Sequence, residues 1–216
     1  FTKDKKKKKN SLLTGNLYQN DSSSFDKENK TQKATPEINT EEIYKHALTC
    51  LNGDEKNPPN KEEAARNFKI AADKCHSQAM YNYAKMLDTG DGIPIDKNES
   101  LRYYQMSVER GEPNSTYEYA LKLYNGDENV EVNKAQAAEY FKEAANQKHA
   151  GSMYYCGLMN EEGDGIPENK EEALKYYKSA AEQGHVAATV SYARMLYNGI
   201  GCKVDKKEAA RKYKIA

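Results

Sequence analysis

The sequence predicts an all-α fold: an α-solenoid of about five helix-turn-helix repeats preceded by a disordered tail. Three observations predict it. An aromatic residue recurs at positions 68, 104, 141, 177 and 213, at spacings of 36, 37, 36 and 36. A small residue recurs as Ala47, Ala84, Ala120, Gly157 and Ala193, and a glycine follows each by six residues. In all five copies Asn or Asp is followed three residues later by Glu or Gln: Asn60/Glu63, Asp96/Glu99, Asn133/Gln136, Asn169/Glu172 and Asp205/Glu208. Self-similarity at this period marks stacked helical repeats. The units fall at about 41–76, 77–112, 113–149, 150–185 and 186–216, the last cut short.

Each unit reads as two helices. Helix A of the second unit spans Gln78 to about Thr89, with Met80, Tyr83, Ala84 and Leu87 at i, i+3, i+4 and i+7. The small residue lets a neighbouring helix approach closely. The glycine six residues on ends the helix where a left-handed conformation is needed. The Asn/Asp–Glu/Gln pair opens helix B as a reciprocal cap, the first side chain accepting from a free backbone N–H and the second reaching back. Helix B then carries small-x₃-aromatic-x₂-small, as in Ala64, Phe68 and Ala71. The second aromatic of each helix B is expected in the core. Its predecessor (Tyr103, Tyr140 or Tyr176) is expected to be half exposed.

Composition agrees with thin, closely packed helices. Leu, Ile, Val and Phe make only 30 of 216 residues, while 24 Ala and 17 Tyr supply the remaining apolar surface. Basic and acidic residues number 33 each, which argues against a dedicated nucleic-acid binder. No run approaches the ~18 apolar residues of a membrane span. Residues 1–40 hold nine Lys against five acids, including the run Lys5–Lys9, and show little apolar periodicity. Such a stretch cannot bury enough surface to offset its chain entropy and is expected to be a disordered tail or linker. The Lys run offers at most a weak contact to an acidic surface. Phe1 and the final helical pattern read as interior to a longer chain.

Chemistry-bearing motifs are lacking. Cys50, Cys75, Cys156 and Cys202 form no C-x-x-C pair and read as free thiols in a reducing compartment. The Gly-Asp-Gly-Ile-Pro loops at 90–94 and 163–167 join helix to helix, without the preceding strand a dinucleotide site needs. His76, His149 and His185 share one repeat position in the turn after helix B. Stacked helices put equivalent atoms on the order of 10 Å apart, too far for one metal ion, so a turn or capping role is expected. No nucleophile elbow, H-E-x-x-H or converging carboxylates appear. No catalytic residue, cofactor or metal site is assigned.

Residues 79–111, from Ala79-Met-Tyr-Asn-Tyr-Ala84 through Gly90-Asp-Gly-Ile-Pro and Asp96-Lys to Tyr103-Tyr104 and Gly111, resemble a Sel1-like repeat. So do residues 152–184, and the resemblance extends over 41–216. Tyr-Ala or Cys-Gly stands where the family has Leu-Gly, unit one is the most divergent with Pro58-Pro59 in its loop, and the paired cysteines of disulfide-bonded bacterial members are absent. The resemblance implies a right-handed α-solenoid related to tetratricopeptide arrays, acting as an adaptor or scaffold.

In the related arrays helix A lines the concave surface. On that basis Tyr44, Tyr81, Tyr117 and Tyr154, with Val190 in unit five, form a ladder with one hydroxyl per tyrosine unit. Further along the same face come Lys85, Leu121, Leu158 and Arg194, then Asp88, Tyr124, Glu161 and Tyr197. The candidate partner-binding residues are therefore Tyr44, Tyr81, Tyr117, Tyr154, Lys85, Tyr124, Arg194 and Tyr197, and packing between units is the alternative role for the ladder. The expected function is a non-catalytic protein-interaction scaffold for proteins or peptides. The alternative is a regulatory segment of a larger enzyme, such as a protein kinase. The expected location is the cytoplasm, or the endoplasmic reticulum lumen if a signal sequence precedes the fragment.

Overall fold

The computed structural model describes residues 39–216. The Lys5–Lys9 run and the expected disordered tail lie outside the described residues, save for its last two positions. Ten helices follow in five pairs: α1 (Thr40–Asn52) and α2 (Lys61–Asp73), α3 (Ser77–Thr89) and α4 (Lys97–Val108), α5 (Pro113–Asn125) and α6 (Lys134–Asn146), α7 (Ala150–Glu162) and α8 (Lys170–Glu182), α9 (Val186–Asn198) and α10 (Lys206–Ile215). Among the described residues the only extended pairing is an isolated bridge between Asp127 and Val130. Each helix packs chiefly on the helices before and after it. That nearest-neighbour pattern is an α-solenoid, whose units complete one another's cores.

Both helices of every unit are capped. Asn60, Asp96, Asn133, Asn169 and Asp205 accept from the N–H three residues on, at 2.9–3.1 Å. The return half of the expected reciprocal cap is not formed. The backbone N–H of each capping residue instead donates across to helix A: to the carbonyls of Cys50, Leu87, Leu123, Asn160 and Leu196, at 2.7–3.0 Å. These carbonyls belong to the last turn of helix A, where no intrahelical partner exists. One bond thus satisfies a helix C-terminus and fixes the start of the next helix. In helix A the expected capping role of the histidines is realised: Nδ1 of His76, His149 and His185 accepts from the N–H of Ala79, Ser152 and Ala188 at 3.1–3.2 Å. Glu112 takes this place in unit three, accepting from Ser115 N–H at 2.6 Å.

The terminating glycines divide into two kinds. Gly90, Gly163 and Gly199 are left-handed, and the next N–H bonds back to Met86, Met159 and Met195. Gly53 and Gly126 also have positive φ, but with ψ of 172° and 157°. Units one and three carry one more residue between the small residue and the helix B cap, and the chain leaves the helix extended to use it.

The core is one small residue against one ring. Ala47, Ala84, Ala120 and Ala193 are fully buried, as are Phe68, Tyr104, Phe141 and Tyr177. Two expectations are corrected. Tyr213 is 45% exposed, and among the described residues no helix packs on the far side of α10. Tyr103 is buried rather than half exposed: its hydroxyl donates to Asp73 at 2.6 Å and accepts from Lys69 at 3.1 Å.

The turn after helix B needs positive φ. Gly111 and Gly184 supply it, each with open space on the side where a Cβ would stand. Cys75 and Lys148 adopt φ of 68° and 65° with side chains attached. A left-handed conformation costs a residue bearing Cβ roughly 1–2 kcal/mol, partly offset by the entropy glycine loses on folding. Lys148→Gly is therefore expected to stabilise the array by about 0.5–1 kcal/mol, read as a higher urea midpoint at unchanged m-value.

Candidate functional site: the helix A face

The tyrosine ladder is half-buried and lies at the joints between units. Tyr44 packs on Phe68 of its own unit (ring centroids 5.9 Å apart) and stacks on His76 at the start of the next helix A (4.5 Å, planes 26° apart). Tyr117 repeats this on Phe141 (6.0 Å) and His149 (4.6 Å), and Tyr154 on Tyr177 (5.8 Å) and His185 (5.0 Å). Tyr81 packs on Tyr104 at 6.3 Å, with no capping imidazole to stack on because Glu112 stands there. Burial pushes the hydroxyls of Tyr81 and Tyr117 up to about 12, so both stay protonated donors at neutral pH. Burial also lowers His149 and His185, in keeping with neutral rings whose Nδ1 accepts the cap bond.

The other candidates differ in what they already hold. The Tyr124 hydroxyl donates to Asp164 of unit four at 2.8 Å, and Lys134 bonds the same carboxylate at 2.8 Å while lying 5.1 Å from the Tyr124 ring. One guanidinium nitrogen of Arg194 bonds both oxygens of Glu161 in the preceding unit, at 2.8 and 2.6 Å. These two residues tie unit to unit. Lys85 is exposed, with the Tyr81 ring 6.0 Å away and the Glu118 carboxylate among its charged neighbours. Tyr197 is 49% exposed, with Lys206 5.2 Å from its ring. The Gly-Asp-Gly loops are joints too: Asp91 pairs with Lys61 at 2.6 Å and Asp164 with Lys134, each reaching the first residue of the preceding helix B.

Three side chains on this face were not singled out from the sequence. Tyr155 lies between units three and four, stacked on Phe141 at 4.7 Å and close to Tyr117, Tyr124 and Tyr154. Its repeat position is Lys45, Asn82, Glu118 and Ser191 elsewhere, so no periodic signal marks it. Glu118, in that same column, is half-buried among charged neighbours Lys85, Asp88 and Lys122. Lys122 occupies a position that is Met86, Met159 and Met195 in units two, four and five, and it bridges Asp88 (3.0 Å) to Asp127 (2.7 Å). A charged residue breaking a methionine column was the available signal. Units two to four thus bring Tyr81, Lys85, Tyr117, Glu118 and Tyr155 onto one face. Tyr44 and Tyr197 belong to the first and last units and stand apart from that group.

A Sel1 repeat family model matches residues 43–74, 77–112, 113–149, 150–185 and 186–213. The chain belongs to the Sel1 repeat family. Sel1 repeat proteins are generally protein-interaction scaffolds and typically non-catalytic. Among solved structures, a protective antigen of uropathogenic Escherichia coli strains with an SLR fold aligns at a TM-score of 0.74 and 27% identity. That alignment covers 82% of this chain and 37% of the antigen, so this chain spans little more than a third of that relative. A Sel1 repeat protein from Oxalobacter formigenes aligns at a TM-score of 0.77 and 22% identity, over 82% of this chain and 71% of the other. An immunity protein from Pseudomonas aeruginosa shares the fold more distantly, at a TM-score of 0.54 and 19% identity over 83% of this chain and 64% of its own. A search of curated proteins finds no match. Among the described residues no helix is long and apolar enough to cross a membrane.

Burial raises the pKa of Glu118 above its ordinary 4.5, with Asp88 adding to the rise and the two lysines opposing it. Between 4.5 and the raised value the folded chain holds more proton than the unfolded chain, so this site loses stability as pH rises through that window. Glu118→Gln is expected to be more stable than the parent at pH 7. The difference should close as pH falls towards 4.5, checked by urea titrations at pH 7, 5.5 and 4.5.

Proposed function

We propose that this chain is a non-catalytic scaffold that holds a peptide segment of another protein along the helix A face, centred on units two to four. The carrying observation is the grouping of half-buried rings (Tyr81, Tyr117, Tyr155) with two charges of opposite sign, Lys85 and Glu118. Neither charge has an ion-pair partner within 4.0 Å among the described residues. Half-buried tyrosines give contact area at low entropic cost, and unpaired charges beside them give direction to a bound chain. Tyr124 and Arg194, engaged between units, act here as supports for the face, and Tyr197 lies outside it in unit five. The four cysteines carry no disulfide, which suits the cytoplasm.

The test is selection of peptides from a displayed random library on the full chain, followed by affinity measurement on variants. Lys85→Glu and Tyr155→Ala are expected to weaken the selected peptides at least tenfold, with helicity retained. Val186→Ser, an exposed change at the start of α9, should leave affinity unchanged. Peptides that bind both face variants as tightly as the parent would move the site elsewhere.

A further inference from the structure

Unit one breaks the repeat at two positions on the side of helix A away from the tyrosine ladder. Just before the small residue, and four residues further on, the later units have Tyr83/Leu87, Tyr119/Leu123, Cys156/Asn160 and Tyr192/Leu196. Unit one has His46 and Cys50. Both face Glu63, in the first turn of α2. The Nε2 atom of His46 lies 3.5 Å from Cys50 Sγ and 3.6 Å from a Glu63 carboxylate oxygen. The three donor atoms all fall within 4.8 Å of one another.

The two separations at His46 Nε2 match the edges of a small tetrahedron, and the third donor pair lies within 4.8 Å. With Zn–N and Zn–O near 2.1 Å and Zn–S near 2.3 Å, donors around one tetrahedral zinc ion sit roughly 3.4–3.6 Å apart. The arrangement is not that of a cysteine nucleophile. A Cys–His–acid triad puts the thiol on one ring nitrogen and the acid on the other, whereas here both approach the same nitrogen. We propose that His46, Cys50 and Glu63 form a three-residue site for a zinc-class divalent ion, clasping α1 to α2.

The surroundings suit that role. Asn60 Nδ2 donates to the other Glu63 oxygen at 3.0 Å and so orients the carboxylate. Asp54 lines the same open cleft, but its carboxylate is occupied by the backbone N–H groups of Lys56 and Asn57 at 2.8 Å. The fourth coordination position therefore falls to water or to a donor from beyond the described residues. Mixed nitrogen, sulfur and oxygen donors favour zinc over magnesium or calcium. Burial and then the carboxylates of Glu63 and Asp54 raise the Cys50 thiol, and a bound cation would act in the opposite sense.

The full chain carrying Cys75→Ser, which removes the exposed thiol, would be titrated with Zn²⁺ by calorimetry and with Co²⁺ by absorption. One equivalent is expected, with a thiolate-to-cobalt charge-transfer band and a rise in melting temperature with Zn²⁺. His46→Tyr and Cys50→Leu install the residues of units two, three and five, so the fold has a precedent at each position. Each should weaken Zn²⁺ at least 100-fold, and Cys50→Leu should abolish the band. Absence of stoichiometric binding would overturn the proposal. So would equal affinity in either variant, or binding without the band, which would mean weak capture by surface carboxylates.

Discussion

The array depends on how closely helix A can approach helix B at one small residue. At Gly157 an added Cβ would meet the Tyr177 ring at 2.7 Å, and the alanines at the same position elsewhere are fully buried. That contact lets a protein with few large aliphatic residues build a core from alanine and rings. Each buried ring contributes about 1.5–3 kcal/mol, but only when the next unit covers it. The partly exposed Tyr213 is the same ring without a neighbour. Stability is therefore shared between units and cannot be assigned to one.

Polar groups then set the angle at which units meet. The N–H of each helix B cap is used by the preceding helix A, so the loop between them has two fixed ends. The helix A cap serves two purposes where it is histidine. Its Nδ1 holds a backbone N–H, and its ring packs on the tyrosine of the unit before, stacked at His76 and His185 and tilted by 40° at His149. Ordinary helix caps are Ser, Thr, Asn or Asp, which could make the first contact and not the second. Unit three departs from this with Glu112, which also bonds Asn114 at 2.7 Å, and there Tyr81 lacks its stacking partner.

This division of contacts bears on function. A side chain that joins units is poorly placed to release them for a ligand, so Tyr124 and Arg194 shape the face more than they offer it. Among the described residues Lys85 and Glu118 form no ion pair within 4.0 Å and keep their charge on that face. The His46–Cys50–Glu63 group lies two residues round helix α1 from the ladder tyrosine, roughly 200° away. A peptide on the helix A face of units two to four and an ion in unit one would therefore occupy separate sites.

The repeat number, helix positions, capping residues and four of the five repeated core rings were legible in the sequence, because each is a local requirement repeated from unit to unit; the return half of the helix B cap, the exposed Tyr213 and the buried Tyr103 were not. A small residue, a ring and a cap at fixed offsets leave little freedom in how the chain folds. The family assignment rests on those same offsets. Residues present once were not legible. Tyr155 and Glu118 carry no period, Lys122 shows only as a break in a methionine column, and their importance comes from neighbours in the adjoining units that stacking brings into contact. Nor could pattern alone tell a ladder tyrosine free for a partner from one held between a ring and an imidazole. The sequence determined what each unit is, since a unit is built from contacts near in the chain. Only the tertiary structure decided which polar groups are consumed in joining units and which remain, since that depends on distances between units.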